Sequence, residues 1–425
     1  MRILVTGANG LIGSALCAAL AHDGHTLVRA TRRPSTLSAG SIAIDMRVAR
    51  SQDWLPHLAN VDAVINSVGV LQEGGQDSTT AAHADGPAEL FRACEASGVR
   101  IIIHFSAIGM DRATPTRFSR SKAQGDAALV ASSLNWIILR PSVVVGPSAY
   151  GGSALFRGLA ALPVLPELPE AGRIQVVQLS DVVATVRFFL QPGALTRVAL
   201  ELAGPERLSF EDIVAQYREW LGFGPVQRIK LPRFMLRTIF AMGDFAGWLG
   251  WRPPARTTAF LEIGRGAMGD PEPWTAMTGI RPAPLRASLM ATPASIQEKW
   301  FAKLYLLKPA VFTVFSVFWI ATAFTSLGPG WQTGIALMNE GGVTGHAASA
   351  TVIAGALADL AIGVGIAFRK TTRPALYAAF ALSLAYVFIG TWLVPRLWMD
   401  PLGPMLKIWP VLALNAVAIA ILEDR

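Results

Sequence analysis

The sequence predicts an α/β domain built on a doubly wound parallel sheet, followed by an all-α four-helix transmembrane bundle. Two observations lead to this prediction. Over the first 230 residues, short apolar strands alternate with amphipathic helices, which is typical of a parallel sheet covered on both faces. Beyond residue 305, four apolar segments of about membrane-spanning length follow one another, and charged residues become rare.

The composition limits the classes of function. Hydrophobic residues make up 52% of the 425 residues and charged residues only 16%, against about 25% charged in soluble domains. The net charge of +8 could suit a nucleic-acid binder, but no Lys/Arg run interleaves with aromatic residues, so we expect no nucleic-acid partner. Cys17 and Cys94 lie far apart in apolar helical patterns, which predicts buried free thiols and no metal site.

The elements of the α/β domain follow in order from the first residues. The predicted strands are RILVTG, HTLVRATR, DAVINSVGV and VRIIIHFSAIG. The clearest helices are LIGSALCAALAHDG, which ends at Gly24, and PAELFRACEASG, which ends at Gly98, because glycine commonly closes a helix. We expect residues 1–230 to form this domain together with a small substrate-side subdomain.

The second half divides into two regions. Residues 231–304 read as an amphipathic and linker region, because charges, glycines and prolines interrupt its apolar stretches. Residues 305–425 are expected to form the membrane domain. Its four predicted spans lie at about 309–327, 347–368, 374–394 and 405–422, each close to the roughly 20 residues that cross a bilayer.

The basic residues predict an orientation in the membrane. They cluster before the first span and between the second and third, at Lys299, Lys303, Lys308, Arg369, Lys370 and Arg373. The loop from Gly328 to Gly345 has no Lys or Arg, whereas Arg396 and Lys407 oppose the trend. Because cytoplasmic loops are enriched in Lys and Arg, we expect a multi-pass inner (cytoplasmic) membrane protein with both termini in the cytoplasm. The lack of a signal-peptide pattern before the first strand agrees with this.

A glycine-rich turn joins the first strand to the first helix. In GANGLIG, Gly7 would allow the tight turn, Gly10 the approach of a pyrophosphate, and Gly13 close helix–strand packing. The N–H groups at the start of the helix would then face the phosphates. We expect the neighbouring Asn9, Leu11 and Ile12 to line the same dinucleotide site.

The end of the second strand favours NADP (NADPH) over NAD. An NAD site would place Asp or Glu there for the ribose hydroxyls, whereas this sequence reads Thr31, Arg32 and Arg33. A guanidinium can bind a 2′-phosphate through charge-assisted hydrogen bonds. The alternative is that both arginines are solvated loop charges.

The GxxGxxG spacing resembles the short-chain dehydrogenase/reductase (SDR) superfamily, in its atypical and extended branch. That branch includes NmrA-like proteins and relatives of the complex I 39 kDa subunit. The resemblance covers about residues 1–230 and implies an NAD(P)-binding Rossmann fold. The arrangement of the whole chain resembles bacterial proteins in which this domain is fused to a DoxX-like membrane domain.

The resemblance also implies further cofactor contacts. Asp45 and Met46 would contact the adenine, and the segment from Asn66 to Gly69 would line the ribose. The segment LRPSVVVGP (Leu139 to Pro147) resembles the one beside the nicotinamide. The residues assigned on this basis are Asp45, Met46, Ser67, Val68, Gly69, Ser106, Lys122, Pro141 and Val143.

The catalytic motif of the superfamily is only partly present. Its YxxxK tyrosine is a general acid/base, and the lysine lowers the tyrosine pKa and holds the ribose. The matching segment here is FSRSK, with Lys122 present but Phe118 at the tyrosine position. Ser106 occupies the hydroxyl position on the preceding strand, Tyr150 is the nearest tyrosine in sequence, and we expect His104 to be a strand-face residue. The motif therefore keeps the residue that holds the cofactor and lacks the residue that transfers a proton.

An ionisable residue, Asp359, lies in the middle of the second predicted span. Because a carboxylate is costly there, it should face the bundle interior. It predicts either a proton- or quinone-proximal site or a single interhelical hydrogen bond, to Asn415 or Tyr386.

Three functions stay open at this point. The first is a membrane-anchored NAD(P)-binding SDR-like oxidoreductase acting on a hydrophobic substrate such as a quinone, isoprenoid or lipid. The second is a catalytically silent NADPH-binding redox sensor or respiratory-complex assembly factor. The third is an enzyme resembling nucleotide-sugar epimerases and dehydratases, which would also need the tyrosine. The expected partners are the lipid bilayer and a hydrophobic small molecule or membrane protein, with homo-oligomer formation left open.

Overall fold

The computed structural model describes residues 1–32, 40–74, 78–168 and 171–422. The chain divides into two compact units. The first unit comprises Met1–Phe245 with Pro253–Lys303, and the second comprises Ala246–Arg252 with the chain from Leu304 onward.

Eleven strands are described, all in the first unit. They are β1 (Arg2–Thr6), β2 (Thr26–Thr31), β3 (Ser41–Ala43), β4 (Ala63–Asn66), β5 (Ile101–Phe105), β6 (Trp136–Pro141), β7 (Val144–Val145), β8 (Val164–Glu167), β9 (Val177–Gln178), β10 (Val198–Leu202) and β11 (Gln227–Lys230). Seven of them form one sheet in the order β10-β6-β5-β4-β1-β2-β3, and all of its described pairings are parallel. The remaining strands pair as β11 with β8 and β7 with β9.

The position of β1 in this sheet decides where a ligand can bind. Ile3 of β1 is in register with Leu27 of β2 on one side and with Ala63 of β4 on the other. The chain therefore moves outward in opposite directions from β1, which creates a topological switch point. In open α/β sheets, ligands bind outside the carboxyl ends of the strands at such a point.

Alternate residues of the central strands supply two cores, one on each face of the sheet. Ile3 and Val5 of β1 belong to one buried cluster, together with Leu16 of the following helix. Leu4, between them, belongs to a second cluster with Trp54. The predicted parallel sheet with both faces covered is thereby confirmed.

Twelve helices accompany the sheet or follow it. They are α1 (Leu11–His22), α2 (Ser51–Leu58), α3 (Gly86–Ser97), α4 (Arg117–Val130), α5 (Gly151–Ala160), α6 (Leu179–Phe189), α7 (Phe210–Trp220), α8 (Arg233–Trp248), α9 (Thr257–Arg265), α10 (Glu272–Thr278), α11 (Leu285–Ala291) and α12 (Ile296–Tyr305). A π-helical turn, Ala81–Asp85, precedes α3. Gly98 ends α3 in the left-handed conformation, with φ of 66°, as its position in the sequence predicts.

The second unit is helical. Its helices are α13 (Leu307–Leu327), α14 (Trp331–Glu340), α15 (Gly345–Ala367), α16 (Thr372–Leu393) and α17 (Ile408–Ile421), with a 3₁₀ turn at Pro395–Trp398. Within the described residues, three helical stretches are long and apolar enough to cross a membrane: Ile296–Leu327, Gly345–Ala367 and Thr372–Leu393. Many of their apolar side chains point outward; Phe388, for example, is 71% exposed.

Three of the four predicted spans correspond to helices of spanning length, and the fourth corresponds to a shorter apolar helix. The segment expected at 405–422 is the helix α17 of 14 residues, about 21 Å long, which falls short of a hydrocarbon core of about 30 Å. The chain before it runs through turns from Pro401 to Lys407, and Gly403 has a φ of +58°. Proline lacks the N–H that a helix interior needs, so Pro401 and Pro404 favour a late start for this helix. The loop between the first two spans also contains α14, which the sequence analysis did not predict.

Close packing and one buried hydrogen bond shape the interior of the second unit. A Cβ added to Gly363 of α15 would meet the Ser316 carbonyl oxygen of α13 at 2.9 Å, so the two helices approach closely through a small residue. Asp359 is buried, and its Oδ1 accepts a hydrogen bond from the Tyr386 hydroxyl at 2.9 Å. This is the interhelical partner that the sequence offered as one alternative; Asn415 instead donates to the Leu376 carbonyl.

Candidate functional site

The glycine-rich turn after β1 is shaped by two glycines that no other residue can replace without strain. Gly7 has a φ of +66°, in the left-handed region that favours glycine, and its carbonyl accepts a hydrogen bond from Gly10 N at 2.8 Å. A Cβ on Gly13 would lie 2.2 Å from that same carbonyl oxygen. The turn is therefore tight, and the first turn of α1 packs directly against it.

The start of α1 has the properties of an anion site. Gly10 is its N-cap residue, and no side chain caps the helix among the residues that the structure describes. The first N–H groups of α1 are thus available to an anion, with the positive end of the helix dipole behind them. Asn9 is exposed beside this end, and Leu11 and Ile12 are half-buried within it.

The segment after β4 is attached to the same turn. The Thr6 hydroxyl donates to Asn66 Oδ1 at 2.8 Å, and the Ser67 hydroxyl donates to the Thr6 carbonyl at 2.6 Å. Val68 N in turn donates to Asn66 Oδ1 at 3.3 Å. The tertiary structure therefore brings the predicted ribose segment, up to Gly69, beside the glycine-rich turn.

Lys122 reaches this edge of the sheet from α4. Its Nζ donates to the Phe105 carbonyl at 2.7 Å and to the Val68 carbonyl at 3.4 Å, and a Cβ on Gly69 would lie 3.9 Å from it. The residue is only 4% exposed, and burial lowers the pKa of Lys122 to about 8, although nearby Asp126 acts in the opposite direction. A cation is thus held between the ends of β4 and β5.

The other predicted residues of this side follow β5 and β6. Ser106 N donates to the Leu139 carbonyl at 2.8 Å, which pairs the ends of the two strands. The Ser106 hydroxyl is buried without a hydrogen-bond partner in the described part of the chain.

Pro141 ends β6 and accepts from Ile108 N at 3.1 Å. The Val143 carbonyl accepts from Val177 N at 3.1 Å. Tyr150 caps α5 and hydrogen-bonds Ser153 there.

Phe118 lies one helical turn before Lys122, half-buried, and packs edge-on against His83. The two nitrogens of His83 are both engaged: Val70 N donates to Nε2 at 3.0 Å, so the proton is on Nδ1, 3.0 Å from the Ser121 hydroxyl. That hydroxyl donates onward to the Phe118 carbonyl at 2.9 Å. Burial lowers the pKa of His83 to about 2, so it stays neutral. The sequence analysis did not single out His83.

A second buried histidine lies beneath the site. Asn66 Nδ2 donates to His104 Nδ1 at 3.0 Å, and His104 Nε2 is 3.6 Å from Asp126 Oδ1. Arg140 Nε lies 3.1 Å from the other oxygen of Asp126. Burial lowers the pKa of His104 and raises that of Asp126. His104 is therefore a neutral strand residue in a buried polar network, as the sequence analysis expected.

The predicted adenine side contains one arginine that the sequence analysis missed. Arg47 Nε donates to Asp45 Oδ1 at 2.8 Å, and its guanidinium also bonds the second oxygen. The pKa of Asp45 is lowered chiefly by Arg47 and to a smaller extent by Arg32, which follows β2. Met46 is buried, and a Cβ on Gly86 would meet its carbonyl at 2.2 Å. Arg33, the second predicted arginine, lies outside the described residues.

Residues 254–265 connect three loops around the site. Glu262 accepts from the Thr116 hydroxyl at the start of α4 at 2.5 Å, and Arg265 donates to the Ile108 carbonyl at 2.8 Å. Arg256 donates to the Glu73 carbonyl at 2.6 Å. The sequence analysis assigned these residues to an amphipathic and linker region, because the contacts that give them a role are all distant in sequence.

Two family matches divide the chain in the same way as the structure. An NAD(P)H-binding family matches residues 7–156, and the DoxX-like family matches residues 316–416. The first match begins at Gly7 and includes Lys122. The second covers most of the helices of the second unit, and together with three apolar helices it indicates a membrane protein.

Two proteins whose names state a role are similar to this chain in sequence. The ceramide reductase of Caulobacter vibrioides is 26% identical over 271 residues, which are 62% of this chain and 82% of that protein. The photosystem II assembly factor Ycf39 of Synechocystis sp. is 30% identical over 114 residues, 25% of this chain and 34% of that protein.

The fold also recurs in solved structures. MoeE5, in complex with UDP-glucose and NAD, aligns with a TM-score of 0.54 and 18% identity, over 72% of this chain and all of that one. At this identity the similarity supports the fold alone.

Proposed function

We propose that this chain, in which an NAD(P)-binding, SDR-like Rossmann domain is joined to a DoxX-like membrane domain, is an oxidoreductase that uses NADP(H) on a hydrophobic substrate at a membrane. One observation carries the proposal. The uncapped start of α1 and the buried Lys122 lie at the same edge of the sheet, and both are attached to the segment Asn66–Gly69. This is the arrangement that holds a diphosphate at one end and a ribose at the other.

The residues present fit a dinucleotide. Gly10 leaves room where a side chain would obstruct a diphosphate, and the free N–H groups of α1 would bind its oxygens. Arg32 supports NADP over NAD, because no carboxylate ends β2 and Asp45, which follows β3, already binds Arg47. A guanidinium beside the 2′ position would bind a phosphate there.

The chemistry of the site constrains the substrate. A bound NADPH supplies a hydride, Lys122 would hold its ribose, and the apolar Phe118 offers no proton to the product. Reduction of an isolated ketone leaves an alkoxide, which needs that proton. Reduction of a quinone leaves a phenolate-type anion, whose conjugate acid resembles the tyrosine phenol of pKa about 10 and which forms without a strong acid nearby. A quinone-like acceptor therefore suits this site better than a simple carbonyl.

The membrane domain supports a hydrophobic substrate. Attachment to a bilayer raises the effective concentration of any compound dissolved in it. The name of the relative from Caulobacter also points to a lipid substrate for that protein. We extend this to the present chain as part of the proposal: its substrate is a quinone, an isoprenoid or another lipid-like molecule.

The proposed location is the inner membrane, crossed several times, with both termini in the cytoplasm. The basic loop around Lys370, between α15 and α16, supports this orientation. Arg396, which opposed it in the sequence, forms a bidentate pair with Glu340 at 2.5 and 2.6 Å. Because acidic residues contribute little to this rule, the pair does not cancel Arg396, and the proposed orientation depends on the larger number of basic residues before α13 and between α15 and α16.

The test uses the full chain in lipid nanodiscs. We expect NADPH binding, and NADPH oxidation with ubiquinone analogues that exceeds the oxidation with a water-soluble short-chain ketone. Gly10→Ala should weaken NADPH binding, because the added methyl group would occupy the space that we propose for the diphosphate. Gly224→Ala is the matched control, since its Cβ would meet nothing within 4 Å. Wild-type protein that binds neither NADPH nor NADH would overturn the proposal.

A catalytically silent NADPH sensor or assembly factor is the second candidate, and Phe118 is the observation that favours it. The sequence similarity to an assembly factor of another membrane complex is consistent with this reading. Tight NADPH binding without oxidation by any quinone, isoprenoid or lipid carbonyl would decide for the second candidate.

A further inference from the structure

One face of helix α8 packs against the protein. Leu236, Phe240, Gly243 and Gly247 are buried and follow one another at the spacing of a helical stripe. A Cβ on Gly243 would meet the Ala255 carbonyl at 1.7 Å, so the contact along this stripe is close.

The other face of α8 is also apolar, although it is exposed. Phe234, Met242, Phe245 and Trp248 are 69%, 66%, 61% and 71% exposed. A helix at the surface of a soluble domain would carry polar side chains here, and a contiguous exposed apolar face of this kind marks an interaction site.

The charge around this face is positive. Arg233 and Arg237 are exposed on α8, and Arg228 and Lys230 are exposed on the preceding strand β11. The only acidic residue of α8, Asp244, is bonded to Arg256 and Thr257. Apolar residues with a cationic border are the pattern of helices that lie in the interface of an anionic bilayer.

The end of α8 leads directly into the second unit. In that unit, Trp251 Nε1 donates to the Ala367 carbonyl at 2.7 Å, and Arg369 N donates to the Leu249 carbonyl at 3.0 Å. These partners lie where the spanning helix α15 ends, in the basic loop before α16. The residues directly after α8 are thus attached at the boundary between apolar and charged residues, where tryptophan is enriched in membrane proteins.

We propose that the exposed face of α8 lies in the headgroup region of the bilayer, as an interfacial helix that holds the cofactor domain at the lipid surface in addition to the spanning helices. The proposal rests on the membrane location given under Proposed function. Of the occupants that could cover this face, a bilayer matches its apolar centre, its cationic border and its continuity with the end of a spanning helix.

The experiment measures lipid exposure with nitroxide labels on the full chain in nanodiscs that contain anionic phosphatidylglycerol. Single cysteines are introduced as Met242→Cys on the exposed face of α8, Phe388→Cys in α16, and Val130→Cys on α4. Cys17 and Cys94 stay in place because both are buried. Collision of each label with oxygen, which concentrates in lipid, is compared with collision with a water-soluble nickel chelate.

We expect oxygen to be the more effective relaxant at positions 242 and 388, and the nickel chelate at position 130. A label at 242 that reports water would overturn the inference, and so would one protected from both reagents, which would indicate a protein partner or a second copy. Position 388 separates the two failures: if its label also reports water, the membrane location itself is wrong. NADPH binding by each labelled protein shows that the first unit is folded.

The lipid charge gives a second measurement. Replacing phosphatidylglycerol by neutral phosphatidylcholine should lower the oxygen effect at position 242, and Arg237→Gln in the anionic nanodiscs should lower it as well. Unchanged values in both cases would refute attraction between α8 and anionic headgroups.

Discussion

The ring of Phe118 meets the ring of His83 edge-on, with 5.4 Å between their centroids. His83 is neutral, and each of its nitrogens already has a hydrogen-bond partner. It therefore has no proton to spare for a substrate and cannot replace the tyrosine that the motif lacks. The position from which the motif's tyrosine would transfer a proton is therefore apolar. This favours a quinone-like substrate, whose reduced form needs no acid, over a simple carbonyl.

The first prediction concerns Phe118→Tyr. The change adds a hydroxyl one helical turn from Lys122 and should raise NADPH oxidation with a long-chain ketone, by up to the ~10²-fold at the lower end of general acid catalysis. Oxidation with a quinone should change much less, because its reduced anion needs no acid. Steady-state rates for both substrates measure this, with Phe118→Leu as the control that adds no hydroxyl. Equal increases with both substrates would contradict the mechanism.

The second prediction concerns cofactor choice. Arg32→Ala should weaken NADPH binding by about 1.5–3 kcal/mol, or roughly 10–100-fold, because a charge-assisted bond to the 2′-phosphate is lost. NADH binding should hardly change. Isothermal titration of both coenzymes measures the difference, and Arg92→Ala, on the exposed side of α3, is a suitable control. Equal weakening of NADPH and NADH binding would show that Arg32 does not bind the 2′-phosphate.

The third prediction is a pH dependence. Burial holds the pKa of Lys122 near 8 in the free protein, so the ammonium loses its proton as the pH rises through about 8. A neutral amine holds the ribose oxygens less firmly, and NADPH affinity should therefore fall across this range. Lys122→Met should bind more weakly at every pH and show no such fall. A wild-type affinity that stays constant through pH 8 would mean that the ammonium does not contribute.

The fourth prediction concerns the second unit. Tyr386→Phe removes the donor to the buried Asp359 and should lower stability in detergent by about 0.6 kcal/mol and at most ~1.7 kcal/mol, the range found for such bonds within membranes. In a protein that already carries Asp359→Leu, adding Tyr386→Phe should cause no further loss of stability. Thermal unfolding of the four proteins gives the coupling, and additive losses would show that the two side chains do not interact.

Local and periodic features of the sequence determined much of this protein. Gly7 and Gly10 fall between the first strand and the first helix, and Gly13 lies in the first turn of that helix, so their role follows from backbone geometry that few residues permit. The alternation of apolar strands and helices likewise predicted a parallel sheet with two covered faces, and three of the four long apolar stretches form helices of spanning length. Lys122 and Phe118 were assigned through the resemblance of FSRSK to the YxxxK motif of the superfamily, which the sequence shows because both positions lie within one helix.

Only the tertiary structure decided the rest, since it depends on contacts between residues far apart in the chain. His83 is next to Phe118, Arg47 binds Asp45, and Glu262 bonds Thr116 only because the sheet order and the return of residues 254–265 bring them together. The short length of the last helix also became visible only in the structure, because hydropathy alone does not reveal that prolines and a left-handed glycine delay the start of a helix. The sequence pattern of apolar residues and glycines determines which secondary structure each segment can form. Tertiary packing determines which side chains meet, and so what chemistry the site can perform.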